Sequence, residues 1–405
     1  MTSNNLSAVA ARLIAIPIEK SVLTLRRKLH RYPELSNREF RTTLTLKKKL
    51  EKLGLTISCG KTPTGLWADL DSGRPGPTVA VRTDIDALAV DEQTGLPCAS
   101  RHPGVMHACG HDVHMAVLIG TAKLLTRLRN DLVGRVRFIC QPAEEQPPGG
   151  ARSLVEAGVL KNPAVDVILG LHVDPALPVG TIGLRDGVNF VAVHDFDIRV
   201  IGRAAHAALP HMAVDALAVA SEIISGLQQV VSRQTDPLRP VVITLGTICG
   251  GQARNVIPGE VVIEGTARSL DPAITRRLPG LIKKNAVGIG RGLGARVEVV
   301  SRGAYPPLRC DSTVNARIAE SFHRLYPKHR VMEPPLVMGS EDFACYLEQV
   351  PGSMFRLGIA NKAQGADKPW HHPAFKVDER AIKIGYTVMA LTVIDLLHHP
   401  LGKRR

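Results

Sequence analysis

Two spacings of apolar residues alternate along the first part of the chain, one typical of helices and the other of strands. Apolar residues at intervals of three and four predict helices over residues 6–30, 39–53 and 114–128. Short apolar runs bounded by turn residues predict strands over residues 64–71, 78–82, 136–140 and 165–169. Strands and helices in alternation indicate an α/β domain with a largely parallel sheet.

The pattern changes near Asn189. Strands are predicted at 193–200, 241–246, 260–267 and 296–300, with helices at 212–231 and 272–287. This β-α-β-β-α-β order is that of a ferredoxin-like α+β unit. After Tyr305 the first pattern resumes and ends in a helix at 379–397. We therefore expect one domain formed by residues 1–189 and 304–405, interrupted by an inserted domain at 190–303.

Residues with useful chemistry follow several of the predicted strands. Asp84 and Asp86 follow one strand, Glu144-Glu145 another and His172 a third. In open α/β sheets the site forms where the strands end. Adjacent residues on an extended chain point to opposite sides, so one glutamate can bind a metal while its neighbour faces a water beside it. That division of labour is the one that metal-assisted hydrolysis needs.

Cys109 and His111 flank Gly110, whose backbone freedom lets both side chains turn towards one point. Thiolate and imidazole suit Zn²⁺, Mn²⁺, Co²⁺ or Ni²⁺. The histidine pair His371-His372, far along the chain, offers further candidate metal ligands.

Each of these features also has an ordinary structural explanation. A buried cysteine can lie beside a hydrogen-bonded histidine, a glutamate pair can form a solvated turn, and His172 can be a core residue. A histidine pair beside a proline is usually a surface loop. Their joint placement after strands of one sheet favours a metal site.

Composition narrows the class of protein. The chain has 405 residues, 44% hydrophobic and 22% charged, which fits a globular protein of two domains. The net charge of +14 comes from scattered basic residues with no recognition motif, so we expect no nucleic-acid partner. The seven cysteines form no CxxC pair, and the N-terminus lacks a secretory signal. We therefore predict a cytoplasmic protein without a membrane partner, since no apolar run approaches the length needed to cross a bilayer.

The chain resembles a family of metal-dependent amidohydrolases over nearly its whole length. The family includes hippurate hydrolases, N-acyl-amino-acid hydrolases and plant indole-acetyl-amino-acid hydrolases, relatives of aminoacylase and carboxypeptidase G-type enzymes. The motifs that carry the resemblance lie at residues 25–36, 82–88, 106–112, 141–145, 170–172, 202–210, 255–258, 338–343 and 370–375.

The resemblance implies a di-metal catalytic domain like that of exopeptidases, with the inserted unit as a lid and dimerisation domain. The residues that match the family's metal ligands are Cys109, His111, Glu145, His172 and His371, with His372 as the alternative to the last. Glu144 matches the catalytic base, His206 a lid histidine that reaches the neighbouring subunit's site, and Asn255 a residue that meets the substrate. Two divalent ions per subunit are implied, Mn²⁺ or Zn²⁺ first and Co²⁺ or Ni²⁺ also compatible.

The implied activity is hydrolysis of the linear amide bond of N-acyl amino acids, such as hippurate. A metal-bridged water would attack, with Glu144 as general base and then acid. The implied assembly is a homodimer, or a dimer of dimers, formed through the lid. Three alternatives remain: a metallo-dipeptidase or carboxypeptidase acting on free peptides, a binding protein with one closed structural metal site, and a basic nucleic-acid binder.

Overall fold

The computed structural model describes residues 2–60 and 62–402. Within them, helices α1 to α10 span Ser3–Ala15, Glu19–Arg31, Phe40–Glu51, His111–Arg127, Gly150–Glu156, Ala216–Gln234, Pro272–Gly292, Ser312–Leu325, Ala344–Leu347 and Arg380–His398. Strands β1 to β16 span Thr56–Ser58, Leu66–Asp71, Thr78–Asp84, Arg135–Gln141, Val167–Pro178, Ile182–Gly183, Gly187–Phe190, Ala192–Ile201, Ala205–His206, Val241–Gly250, Val256–Ile257, Glu260–Ser269, Arg296–Tyr305, Leu308–Cys310, Val331–Met332 and Gly352–Ala360. Short 3₁₀ turns lie at Arg129–Asp131, Pro210–Met212 and Lys362–Gln364.

Two compact units make up the chain. The first contains residues 1–187, 309–335 and 345–405, and the second contains residues 188–308 and 336–344. The segment 336–344 groups with the second unit, whereas the predicted boundaries had assigned it to the first.

An eight-stranded sheet forms the centre of the first unit. Its order is β1-β2-β4-β3-β5-β16-β6-β15, with parallel pairing of β4, β3, β5 and β16 in the middle. All seven residues of β3 are buried, as expected for a strand whose two faces are both covered. The predicted α/β class with a mostly parallel sheet is confirmed.

Helices α4 and α10 supply much of the apolar surface that packs into the core of the first unit. Among the described residues, α10 is the helix long and apolar enough to cross a bilayer by composition alone. The expectation that no stretch reaches that length was therefore wrong for α10. Its apolar window is 89% buried inside the protein, so a core helix explains its composition.

The second unit has a four-stranded antiparallel sheet of order β10-β12-β8-β13. Helices α6 and α7 contribute their apolar faces to a separate core with this sheet. Asp215 and Asp271 begin the two helices, each accepting hydrogen bonds from two backbone N–H groups of the first turn. The order of elements is the ferredoxin-like order expected from the sequence.

Two local predictions were wrong. The helix expected over residues 6–30 is two helices, because Pro17 disfavours helical backbone at Ile16, which is extended at φ −67° and ψ 117°. His172 was expected after the end of a strand, but it lies inside β5, which continues to Pro178.

Candidate metal centre

The loop that carries Cys109 and His111 turns at a glycine that no other residue could replace without strain. Gly110 begins α4 in the left-handed region at φ 86°, and a Cβ there would lie 2.5 Å from Cγ2 of Val173. The turn brings Cys109 Sγ to 3.5 Å from His172 Nε2. Residues 63 positions apart therefore face each other across the loop and β5.

His172 is oriented by the backbone of its own strand. Its Nδ1 lies 2.8 Å from the carbonyl oxygen of Val173, which leaves Nε2 directed to Cys109. The indole N–H of Trp370 donates to the same carbonyl at 2.9 Å, and the indole ring meets the imidazole edge-on. This arrangement fixes both the tautomer and the orientation that a metal ligand needs.

The adjacent glutamates do not lie on an extended strand, contrary to the expectation that they point to opposite sides. Strand β4 ends at Gln141, and Ala143 has a left-handed φ of 50°. The Ala143 N–H donates to Glu39 at 2.8 Å, which holds this turn. As a result, oxygens of both Glu144 and Glu145 lie in one group with a nitrogen of His111, all within 4.8 Å of one another.

Asp86 connects His111 with Glu145. Its side-chain Oδ1 lies 3.2 Å from His111 Nδ1, and its backbone oxygen lies 3.0 Å from the same nitrogen. Its Oδ2 accepts a hydrogen bond from the Glu145 N–H at 3.0 Å. One fully buried carboxylate thus orients two candidate ligands, as outer carboxylates do in metal sites.

The structure distinguishes the two histidines of the late loop. His371 has a left-handed φ of 65°, and its Nε2 lies 3.5 Å from Glu145 Oε1. Its N–H donates to the backbone of Ala108 at 2.9 Å. His372 instead accepts a hydrogen bond from the Ala374 N–H through Nδ1. The backbone therefore turns His371, the residue chosen from the sequence, towards Cys109 and Glu145.

The five residues fit a pair of cations. Cys109, His111 and His172 form one group, and Cys109, Glu145 and His371 form another, each with its donor atoms within 4.8 Å. His111 Nε2 and Glu145 Oε1 are buried and have no hydrogen-bond partner among the residues that the structure describes. Buried polar atoms are normally satisfied, so two such atoms 3.7 Å apart mark a place for a ligand. Sulfur, imidazole and carboxylate together suit Zn²⁺ or Mn²⁺.

Negative charge dominates the electrostatics of the centre. Burial and the neighbouring Glu145 and Glu144 raise the pKa of Cys109 well above its usual value. Burial lowers the pKa of His111, but Asp84, Asp86 and Glu145 outweigh it and raise that pKa to about 10. A buried site that holds protons this strongly has an excess of carboxylate charge, which a divalent cation would balance.

Sequence reasoning missed His114 and the role of Asp84. His114 Nδ1 lies 2.7 Å from Asp84 Oδ1, and His114 Nε2 accepts a hydrogen bond from the Val173 N–H at 3.0 Å. Both nitrogens are thus engaged, and the pair fixes the backbone next to His172. The signal available in the sequence was the three-residue spacing from His111, which places the two histidines on one face of α4.

The second unit brings His206 and Asn255 together. The strands β9 and β11 pair His206 with Val256, and the Ala207 N–H donates to the backbone oxygen of Asn255 at 3.0 Å. Both residues are exposed, and His206 Nδ1 accepts from the Ala208 N–H at 3.1 Å. Their predicted roles towards the substrate stay predictions.

Comparison with known proteins gives the family. The model of Peptidase family M20/M25/M40 matches residues 80–395, and the chain belongs to this family. It is 41% identical to N-acetyl-L-cysteine deacetylase of Bacillus subtilis (strain 168) over 365 residues, 90% of this chain and 85% of that protein. It is also 41% identical to N-acyl-L-amino acid amidohydrolase of Geobacillus stearothermophilus over 291 residues, 72% and 78% of the two chains.

A crystal structure from Bacillus subtilis, described as a dinuclear metal-binding peptidase from the M20 family, is similar to this chain over nearly its whole length. It has a TM-score of 0.79 and 36% identity, and the match covers 94% of this chain and 99% of that one. The family resemblance expected from the motifs is confirmed.

Proposed function

We propose that this protein is an amidohydrolase that cleaves the amide bond of N-acyl amino acids with the help of two divalent cations. The observation that carries the proposal is that two groups of metal-binding side chains share Cys109, and that each group contains a buried atom without a hydrogen-bond partner among the described residues, His111 Nε2 in one and Glu145 Oε1 in the other. The names of the similar bacterial enzymes, a deacetylase and an N-acyl-amino-acid amidohydrolase, support the substrate class.

The proposed ligands are the five residues named from the sequence: Cys109, His111, Glu145, His172 and His371. When bound, the cations supply Lewis acidity, which polarises a carbonyl oxygen and makes a water acidic near neutral pH. Zn²⁺ and Mn²⁺ suit this donor set, and Co²⁺ or Ni²⁺ are compatible.

Glu144 acts as the proton carrier of the reaction. It is largely buried, and its carboxylate lies within 4.8 Å of the His111 and Glu145 donor atoms. It takes a proton from the attacking water while a C–O bond forms at the amide carbon. It then returns that proton to the leaving nitrogen as the C–N bond breaks, which releases a carboxylic acid and an amino acid.

His206 and Asn255 complete the proposal as groups that contact substrate. His206 donates a hydrogen bond to the carbonyl oxygen as negative charge develops on it, and Asn255 binds the substrate. In the proposed assembly, a homodimer or dimer of dimers formed through the second unit, His206 serves the neighbouring subunit. A cytoplasmic location remains part of the proposal.

A second candidate is a dipeptidase or carboxypeptidase that uses the same centre, since a similar structure is described as a peptidase. A panel of substrates on the purified, metal-loaded protein separates the two. We expect hydrolysis of hippurate or N-acetyl amino acids to exceed that of free dipeptides by at least tenfold in kcat/KM. Faster cleavage of dipeptides would favour the peptidase, and no hydrolysis of either class would contradict both.

A further inference from the structure

The motif at residues 25–36 carries part of the family resemblance but has no role in the proposed chemistry. Its first residues, 25–31, lie on α2, and this helix buries Arg26 and His30 beside Leu25 and Leu29. Arg26 is 3% exposed and His30 is 1% exposed. Burying an arginine and a histidine on a helix face is costly unless both are paired, so their partners indicate what they do.

Both side chains meet on one carboxylate, that of Asp112. Arg26 Nε lies 2.8 Å from Asp112 Oδ2, and His30 Nδ1 lies 2.9 Å from the same oxygen. Asp112 is fully buried, lies in the first turn of α4 and directly follows the candidate ligand His111. Arg26 and His30 of α2 therefore bind α4 through Asp112, next to the turn formed by residues 109–111.

Arg26 and His30 also contact carboxylates from other segments, through nitrogens other than those that face Asp112. His30 Nε2 lies 3.2 Å from Glu92, and Arg26 Nη1 donates to Glu379 at 3.3 Å. Glu92 in turn accepts hydrogen bonds from the Ser100 N–H at 2.6 Å and from the Thr94 hydroxyl. Two buried basic side chains thus bridge three carboxylates, which fixes each member of the cluster in one arrangement.

We propose that Arg26 and His30 are positioning residues of the metal centre, which act through Asp112 to hold the Cys109–His111 turn in its binding geometry. The inference rests on the proposed function, because it assumes that the turn binds cations. Metal ligands depend on outer contacts of this kind, and their loss typically weakens metal affinity about 10–100-fold.

The test replaces Asp112 with asparagine, which keeps the size of the side chain but removes the negative charge that faces Arg26 and His30. The dissociation constant for Zn²⁺ is measured by competition with a chelator, and Co²⁺ binding by its absorption spectrum, which reports the thiolate of Cys109. We expect Asp112→Asn to raise the dissociation constant about 10–100-fold and to change the Co²⁺ spectrum. His30→Gln is the second variant, expected to raise it about tenfold.

Asp69→Asn is the matched control. Asp69 also pairs with a buried arginine of the first unit, since its two oxygens accept from Arg137 at 2.8 and 2.7 Å. It belongs to β2 and is not part of the α2–α4 cluster. The control is expected to lower the thermal midpoint of the metal-free protein while leaving the dissociation constant and the Co²⁺ spectrum within twofold of the original values.

The outcomes separate the two proposals. If the unaltered protein binds no Zn²⁺ or Co²⁺, the proposed function fails and this inference fails with it. If the unaltered protein binds tightly and folded Asp112→Asn and His30→Gln bind equally well, only the positioning role is overturned. The same holds if Asp69→Asn weakens binding as much as Asp112→Asn, because general destabilisation would then explain both.

Discussion

The candidate functional residues of the two units differ in how firmly the protein holds them. In the first unit His111 and Asp86 are almost fully buried, and Asp86 contacts the candidate ligand His111 and the Glu145 backbone at the same time. In the second unit His206 and Asn255 are exposed, and the contact that joins them runs through the backbone of Ala207. The comparison separates a preorganised site, which is built before any ligand arrives, from side chains that keep rotamer freedom.

The largest expected effect comes from removing the cations proposed to bind in the first unit. Dialysis against a chelator should abolish hydrolysis of N-acyl amino acids, because no cation is then present to polarise the carbonyl oxygen or to make the attacking water acidic. Adding back Mn²⁺ or Zn²⁺ should restore the rate, with two ions per subunit by elemental analysis. Full activity in protein shown to contain less than 0.1 ion per subunit would contradict a metal-dependent reaction.

Glu144→Gln tests the proposed role of Glu144 as the proton carrier of the buried site. Glutamine keeps the size but cannot accept the proton from water, so we expect kcat to fall by about 10²–10⁴-fold with unchanged metal content. Steady-state kinetics and elemental analysis on one preparation provide the measurement. A variant that keeps both its ions and its turnover would exclude Glu144 as general base.

His206→Ala tests the exposed side of the comparison. Losing one hydrogen-bond donor to a developing oxyanion costs about 10²–10³ in kcat, and metal content should not change. His211 is the control, since it is an exposed histidine in the same segment. His211→Ala should retain nearly full activity, and the reverse ranking of the two variants would reassign the role.

The proposed dimer adds a sharper version of this experiment. If His206 serves the neighbouring subunit, inactive Glu144→Gln and inactive His206→Ala should regain part of the activity when their subunits are exchanged. Mixed dimers would contain one site with both intact residues. Absence of recovery, after exchange has been verified with two affinity tags, would argue against a shared site.

His114→Ala is expected to have a smaller effect than these catalytic changes. His114 does not belong to the proposed ligands, but it fixes the backbone beside His172 through the Val173 N–H. Its loss should weaken metal binding about 10–100-fold, and activity should recover at saturating metal. Activity that stays low at saturating metal would instead give His114 a direct part in the reaction.

Local spacing predicted most of the fold, whereas the family resemblance supplied the assignment of the candidate ligands. The elements around Asp84, Cys109 and Glu145 were predictable because apolar periodicity reflects burial within each segment. The family resemblance selected His371 over His372, but the local sequence did not show the geometry that distinguishes them, a left-handed backbone at His371 and a hydrogen bond from its N–H to Ala108.

Contacts between distant segments explain what the sequence did not reveal. The turn at Ala143 depends on Glu39, 104 positions earlier, so the extended geometry assumed for the two glutamates was wrong. The cluster on Asp112 joins α2 to α4 across 82 positions. No periodicity within either segment reports such a pairing, because it arises only when the helices pack.

The most direct test of the account is anomalous diffraction from crystals soaked in Zn²⁺ or Mn²⁺. We predict two peaks per subunit, with the Cys109 sulfur about 2.3 Å from Zn²⁺ and ligand nitrogens at about 2.0–2.1 Å. His371, and not His372, should be among the ligands, and Glu144 should face the ions without binding them. The absence of any peak near Cys109, or ions whose ligands omit His111 and Glu145, would contradict the central claim.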